Sequence, residues 1–340
     1  MSGRDPALPR LGVVIVTYGG ADLAKACLTA LLASDGVALD VVVVDNASLD
    51  GTAAALRSWI AGHAPRGHRL RLVEAEANRG FAAGVNQGLS RLTPDPGLDR
   101  FWILNPDTEP APEAARAFAT HPGRFGLMGG RVVYATPPGR VQIDGGRIDR
   151  RTGVTRNLNR GAPGDAPPPV ETADFVTGAS LVASRAFLER AGPMAEDYFL
   201  YYEEVDWAMR RGDLPLIHLP DAVVRHHAGA AIGSAKAAGT ASPLSQYCLA
   251  RARRLFVRRH MPWARPGALA YGVAKSARLA LSGHEAAAAA LLRGALGLRP
   301  PKAVADRLDA GARSALGLPA QTRTMSDPPT SAPPRNSATS

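Results

Sequence analysis

Short apolar runs at residues 12–16, 41–44, 70–73 and 101–104 are each followed by a polar or glycine-rich turn, and in most cases by a helical pattern such as residues 23–32 or 52–60. Runs this short, alternating with helical stretches, predict a parallel sheet with helices on both faces. Ligands of such sheets bind beyond the carboxyl ends of the strands, so the residues just after each run are the ones that can carry chemistry. After about Gly126 the rhythm breaks. Proline- and glycine-rich stretches at 136–139 and 161–169 flank an expected irregular hairpin, and from Gln321 onward the chain is mostly Ser, Thr and Pro, a composition expected to stay disordered.

Composition changes this picture little. A chain of 340 residues with 46% hydrophobic content can bury one large core or two modest ones. Cys27 and Cys248 sit far apart inside apolar helical patterns, as packing thiols of a reducing compartment do. The first ten residues hold no apolar core of signal-peptide length, and no uncharged stretch reaches 18 residues, so a cytoplasmic, non-spanning protein is expected.

Charge changes it more. The net +10 comes from residues 245–314, which hold 13 Lys+Arg against 3 Asp+Glu. That segment opens with SQYCLARARRLFVRRHMPW, where Tyr247, Leu255 and Phe256 recur near helical spacing and Arg251, Arg254 and Arg258 line another face. It reads as a basic amphipathic helix that packs on the core with a solvated charged face. An anionic membrane surface is a further candidate partner, through Arg251, Arg253, Arg254, Arg258 and Arg259. Nucleic acid is not expected as a partner: the charge is confined to one segment, and no aromatic stacking surface or DNA-reading motif accompanies it.

The strand ends carry polar clusters: Thr17-Tyr18-Gly19-Gly20, Asp45 to Thr52, Asn78-Arg79-Gly80-Phe81 and Asn105-Pro106-Asp107. Helix capping by Ser48 or Asp50 explains part of the second cluster but leaves Asp45, at the strand's binding edge, unexplained. No G-x-G-x-x-G follows the first strand and no Walker loop is present, which disfavours a dinucleotide or P-loop site. Downstream, YFLYYEEVDWAMRR predicts a helix from about Glu203, with Glu203, Asp206, Trp207 and Arg210 on one face and Asp206–Arg210 an i,i+4 pair. Acidic residues complement a helix start, but three carboxylates in four positions exceed what a cap needs. The adjacent His226 and His227 end a strand-like run, so at most one of them faces a site.

Seven segments in order, VVIVTYGG, VVVVDNASLDGT, NRGFAAGVNQG, FWILNPDTEP, TGASLVASRAFLERAG, YFLYYEEVDWAMR and PDAVVRHHAG, make the chain resemble the inverting family 2 glycosyltransferases, within them the rhamnosyltransferase- and galactofuranosyltransferase-like branch. The resemblance implies an α/β, GT-A-type (Rossmann-like), mostly parallel sheet with flanking helices and a C-terminal helical extension. It divides the chain into a flexible terminus (1–10), a glycosyltransferase domain (11–240, with 11–110 the nucleotide-sugar half and 111–240 the acceptor half), a basic helical region (241–314) and a disordered tail (315–340). It implies transfer of a sugar, with rhamnose from dTDP-rhamnose the first candidate, from a nucleoside-diphosphate donor to a hydroxyl of a cell-envelope or polysaccharide acceptor, either a glycan or lipid-linked. The alternative is a catalytically inactive nucleotide-sugar-binding homologue.

Residue by residue, the resemblance implies that Thr17, Tyr18 and Asp45 hold base and ribose, and that Asn78, Gly80 and Asn86 shape the diphosphate and sugar pocket. Asn105-Pro106-Asp107 stands in the place of the Asp-x-Asp metal motif, with Asn105 replacing its first aspartate. Asp107 and His226 would hold a divalent metal, Mg2+ or Mn2+. Glu204 or Glu203 takes the place of the catalytic carboxylate, where the family commonly reads Glu-Asp.

Overall fold

The computed structural model describes residues 8–63, 67–227 and 241–320. The four apolar runs form β1 (Arg10–Thr17), β2 (Ala38–Asp45), β3 (Arg69–Glu74) and β4 (Arg100–Leu104), joined through α1 (Ala21–Leu32), α2 (Thr52–Gly62) and α3 (Phe81–Leu92). All four are parallel, in the order β3-β2-β1-β4. The sheet then continues through β10 (Ser180–Ser184), antiparallel to its neighbours, β6 (Leu127–Tyr134), β11 (Leu216–His226) and the short β5 (Thr108–Pro110). Between β6 and β10 lie β7 (Val141–Ile143), which pairs with β6, and the β8 (Gly146–Ile148) and β9 (Thr155–Asn157) ribbon, in the region where the expected hairpin falls.

Strand periodicity sends alternate residues to opposite layers. Val13, Ile15, Val41 and Val43 pack with α1, α2 and α4 (Ala114–Thr120), whereas Val14, Val16, Val42 and Val44 pack with α3. The two cysteines are buried and unbridged, as packing thiols. Arg10 already belongs to β1, where it is fixed by Asp40 and Asp95. Of the expected terminal segments 1–10 and 315–340, residues 1–7 and 321–340 lie outside the described residues, as does the end of the His226-His227 motif at 228–229, whereas Leu316 just past the last helix is buried.

The C-terminal layer is built on α7 (Pro243–His260), α8 (Arg265–Leu281) and α9 (Glu285–Leu296), followed by α10 (Lys302–Ala305) and α11 (Ala310–Ala315). As the sequence predicts, α7 packs on the core and keeps a charged face toward solvent, where Arg258 and Arg259 are exposed; Arg253 is the arginine that departs from this by being buried. Tyr247, Cys248, Ala252, Arg253, Phe256 and Val257 of α7 are all buried, because the helix is packed between the sheet domain and α9. Arg251 donates to the carbonyls of Asp197 and Tyr198, and Arg259 to Asp197 and Asp206. Among the described residues no helix is long and apolar enough to cross a membrane.

One backbone contact positions the binding edge. Gly80 precedes α3 at φ 92°, a left-handed region that L side chains rarely adopt, and the Phe199 carbonyl accepts from the N–H of Phe81 at 3.0 Å. A Cβ on Gly80 would lie 2.2 Å from that carbonyl oxygen. Gly80→Ala should therefore destabilise the protein by about 2–4 kcal/mol, combining positive-φ strain with a backbone clash. Equilibrium urea unfolding measures this, and a loss below about 1 kcal/mol would mean that the Phe199 segment yields freely.

Candidate functional site

The carboxyl ends of β1, β2 and β4 open onto a cavity of about 250 Å3. Thr17, Tyr18, Asn78, Gly80, Asn105 and Asp107 line it, so six of the residues singled out from the sequence come together here. The strands bring them there because each polar cluster begins where a buried strand runs out of core.

Asn78 organises the β1–β2 side. Its Oδ1 accepts from Asn46 Nδ2 and from the Gly80 N–H, both at 3.1 Å, and its Nδ2 donates to Asp309 at 3.1 Å. Tyr18 hydroxyl donates to the same Asp309 oxygen at 2.7 Å. The other Asp309 oxygen accepts from Ala312 N at the start of α11, and Leu308 and Ala312 join Phe199 in an apolar cluster. A C-terminal segment thus seats a carboxylate on Tyr18, expected to hold the nucleoside, and on Asn78, expected to shape the diphosphate and sugar pocket. Arg307, Leu308 and Asp309 all line the cavity.

Asp45, Asn86, His226, Glu203 and Glu204 are not among the lining residues. Asp45 is buried, and its oxygens accept from the backbone N–H and hydroxyl of Ser48, whose own oxygen accepts from Gly19 N. It braces the loop against Gly19. Asp50, not Ser48, meets the N–H of Thr52 at the start of α2. Asn86 clamps the backbone of Met194 through both amide atoms and also reaches Glu196, beneath a neighbouring hollow.

The β4 side carries the carboxylate. Asp107 is 4% exposed, and its Oδ1 lies 3.1 Å from His226 Nε2. His226 Nδ1 lies 2.8 Å from Gln142 Oε1. When the ring is neutral and Nδ1–H donates to Gln142, Nε2 faces the Asp107 oxygen as a second acceptor, so these two side chains would be the ones to hold a divalent cation. Mg2+ characteristically takes one or two protein carboxylates and fills its shell with water and substrate phosphate, so a sparse donor set fits it. Among the described residues no cluster of three or more His, Cys, Asp or Glu could form a self-sufficient metal site. His227 turns to the other strand face, 2.7 Å from Glu109.

Past α5 (Arg185–Ala191), the acidic pair opens α6 (Glu203–Met209), as the sequence predicts. Phe199, Tyr201 and Tyr202 before it all have left-handed φ, 67°, 73° and 68°, which for bulky residues costs on the order of 1–3 kcal/mol each. Tyr202 is held in place by its hydroxyl on the Gly153 carbonyl and its ring against Phe256. Glu203 is 4% exposed, and its Oε2 has no hydrogen-bond partner; burial, then the Glu204 charge, raises its pKa. Glu204, only partly buried, has its side chain against Gly178 and near Phe81, a cavity-lining residue; burial raises its pKa too, less than that of Glu203.

Sequence reasoning missed Asn46, Gln142, Arg307 and Asp309. Asn46 was within reach, as the residue after Asp45 at a strand end. Nothing local marks the other three, since they arrive from β7 and from more than 200 residues down the chain.

Residues 12–138 match the family model for glycosyl transferase family 2. Among characterised proteins the chain is similar to the low-salt glycan biosynthesis hexosyltransferase Agl10 of Haloferax volcanii, 25% identical over 207 residues, or 60% of this chain and 62% of that one. It is also similar to the N-acetylglucosaminyl-diphospho-decaprenol L-rhamnosyltransferase of Mycobacterium tuberculosis, 26% identical over 239 residues, or 64% of this chain and 76% of that one. The chain thus spans less than two thirds of the hexosyltransferase's length. Among solved structures, the mannosyltransferase PcManGT of Pyrobaculum calidifontis, in complex with GDP-Man and Mn2+, superposes with a TM-score of 0.52 at 20% identity, covering 92% of this chain and 79% of that one. The fold is of the GT-A type, and residues 12–138 are similar to glycosyl transferase family 2.

Proposed function

We propose that this chain transfers a sugar from a nucleoside-diphosphate donor to a hydroxyl acceptor with inversion at the anomeric carbon. The observation that carries the reading is one cavity at the strand ends, lined by Tyr18, Asn78 and Asp107, with Glu204 beside its Phe81 wall. Tyr18 and Asn78 offer a ring and an amide to a nucleoside. Asp107 and His226 would hold a divalent cation, which when bound neutralises charge on the departing diphosphate. Glu204 takes the proton of the attacking hydroxyl, and direct attack needs no enzymic nucleophile. The similarity to a rhamnosyltransferase supports rhamnose as the first sugar to test and a lipid-linked glycan as the first acceptor.

Asp107→Ala should lower donor turnover by roughly two to three orders of magnitude while circular dichroism and thermal melting stay native-like. A native enzyme whose turnover is indifferent to chelator would contradict the metal role.

Glu204→Gln should lower turnover by roughly two to four orders of magnitude with donor affinity kept, because a base acts in the transition state. Glu203, turned toward the Cys248 side, should cost far less as Glu203→Gln. Turnover should rise with pH as the raised Glu204 carboxyl ionises, and Glu204→Gln should lose that limb. Stability follows the opposite sign. Folded Glu203 keeps a proton that the unfolded chain releases above its ordinary 4.5, so stability falls as pH rises through that window. Glu203→Gln should remove the fall, giving a melting-temperature gain at pH 8 that is absent at pH 5.

Asp309 occupies the hydrogen-bonding groups of Tyr18 and Asn78, and the cavity beside it is smaller than the roughly 300–1,000 Å3 of ordinary ligand sites. The donor must therefore displace it. Asp309→Ala should tighten nucleoside diphosphate binding severalfold in calorimetry; weaker binding would make Asp309 a donor contact instead.

A further inference from the structure

Helices α7, α8 and α9 enclose a second cavity, of about 560 Å3, which shares no lining residue with the first. Arg253, Arg254 and Arg258 of α7 and Arg265 of α8 line it, with Leu269 and Leu296 at its apolar wall. Among the described residues none of these four arginines has a carboxylate within ion-pair distance, in contrast to Arg259 on the same helix.

Arg253 is the telling member. It is only 4% exposed, and its guanidinium stacks 4.5 Å from the centre of the Tyr271 ring. A cation removed from water is normally paired with an acid or a bound anion, because its desolvation is otherwise uncompensated. Burial lowers its pKa, and that of Arg254 is lowered first by burial and then by Arg258, Arg251 and Arg265. Arg254 is half-buried and Arg258 and Arg265 reach the hollow from its exposed rim, so like charges from two helices face one space that an anion would neutralise. Guanidinium forks match phosphate oxygens two at a time, which a carboxylate-poor arginine cluster is suited to do. Leu269 and Leu296 are each more than two fifths exposed and would accept a hydrocarbon chain next to that charge.

We propose that the α7–α9 cavity binds a phosphate or diphosphate group, presented either by a lipid head group or by a soluble phosphate. The inference does not need the chain to be a glycosyltransferase, since it reads binding alone.

The test is calorimetric titration of the full chain with inorganic pyrophosphate in the absence of divalent cations, alongside co-sedimentation with phosphatidylcholine vesicles with and without phosphatidic acid. Arg253→Met and Arg254→Gln should each weaken binding about tenfold or more. Arg91→Gln, at an exposed arginine on α3, should leave it unchanged. Loss in both arms identifies a lipid phosphate, and loss in the pyrophosphate arm alone identifies a soluble one. Absence of binding to either probe overturns the proposal, as does an Arg91→Gln effect equal to that of Arg254→Gln, which would mean diffuse surface charge. If Arg253→Met does not fold, Arg254→Gln and Arg265→Gln carry the same comparison.

Discussion

Asp206 is the buried charge on which the acidic helix depends. At 1% exposure it accepts from the Tyr198 hydroxyl at 3.1 Å, Arg210 Nε at 3.0 Å, Arg259 at 2.9 Å and His260 Nε2 at 2.7 Å. Burial alone would raise its pKa, but the hydrogen bonds from His260 and Arg259 outweigh that and bring it to about 2. The carboxylate therefore stays ionised through the neutral range and ties α6 to the far end of α7. That anchor is what lets three bulky residues before Glu203 remain in left-handed backbone conformations, since strain of this kind persists only where surrounding contacts over-determine it.

The consequence reaches the cavity. With α6 fixed, Glu203 is turned inward and left with an orphaned oxygen, while Glu204 lies against Gly178 and near Phe81. One acidic pair thus meets two environments, which is how neighbouring carboxyls come to differ in proton affinity. The opposite wall is set by Asn78, whose amide links Asn46, Gly80 and Asp309. The C-terminal segment, remote in sequence, thereby becomes part of the cavity edge.

Much of this was legible beforehand, for identifiable reasons. The strands and the first helices follow from period-2 and helical spacing, which each report a local burial pattern, and Glu203 begins its helix where the acidic run predicts. The strand-end clusters mark the cavity because polar residues directly after a fully buried strand have few structural uses. Long-range contacts stayed hidden. Nothing near Asp309 announces Tyr18, and the arginine spacing of α7 cannot tell which of its arginines, Arg253, a neighbouring helix will cover. Asp45 and Asn86 illustrate the converse: polar residues in matching positions whose hydrogen bonds go to Ser48 and Met194.

As proposed, the strand-end cavity would hold the donor nucleotide with its diphosphate toward Asp107. A crystal structure with a nucleoside diphosphate and Mn2+ tests it most directly. The expected result is the nucleoside against Tyr18 and Asn78, with Asp309 withdrawn, and the cation between the diphosphate and the Asp107–His226 pair. A nucleotide bound elsewhere, or one seated there with the Asp309 contacts intact and no cation near Asp107, would contradict it.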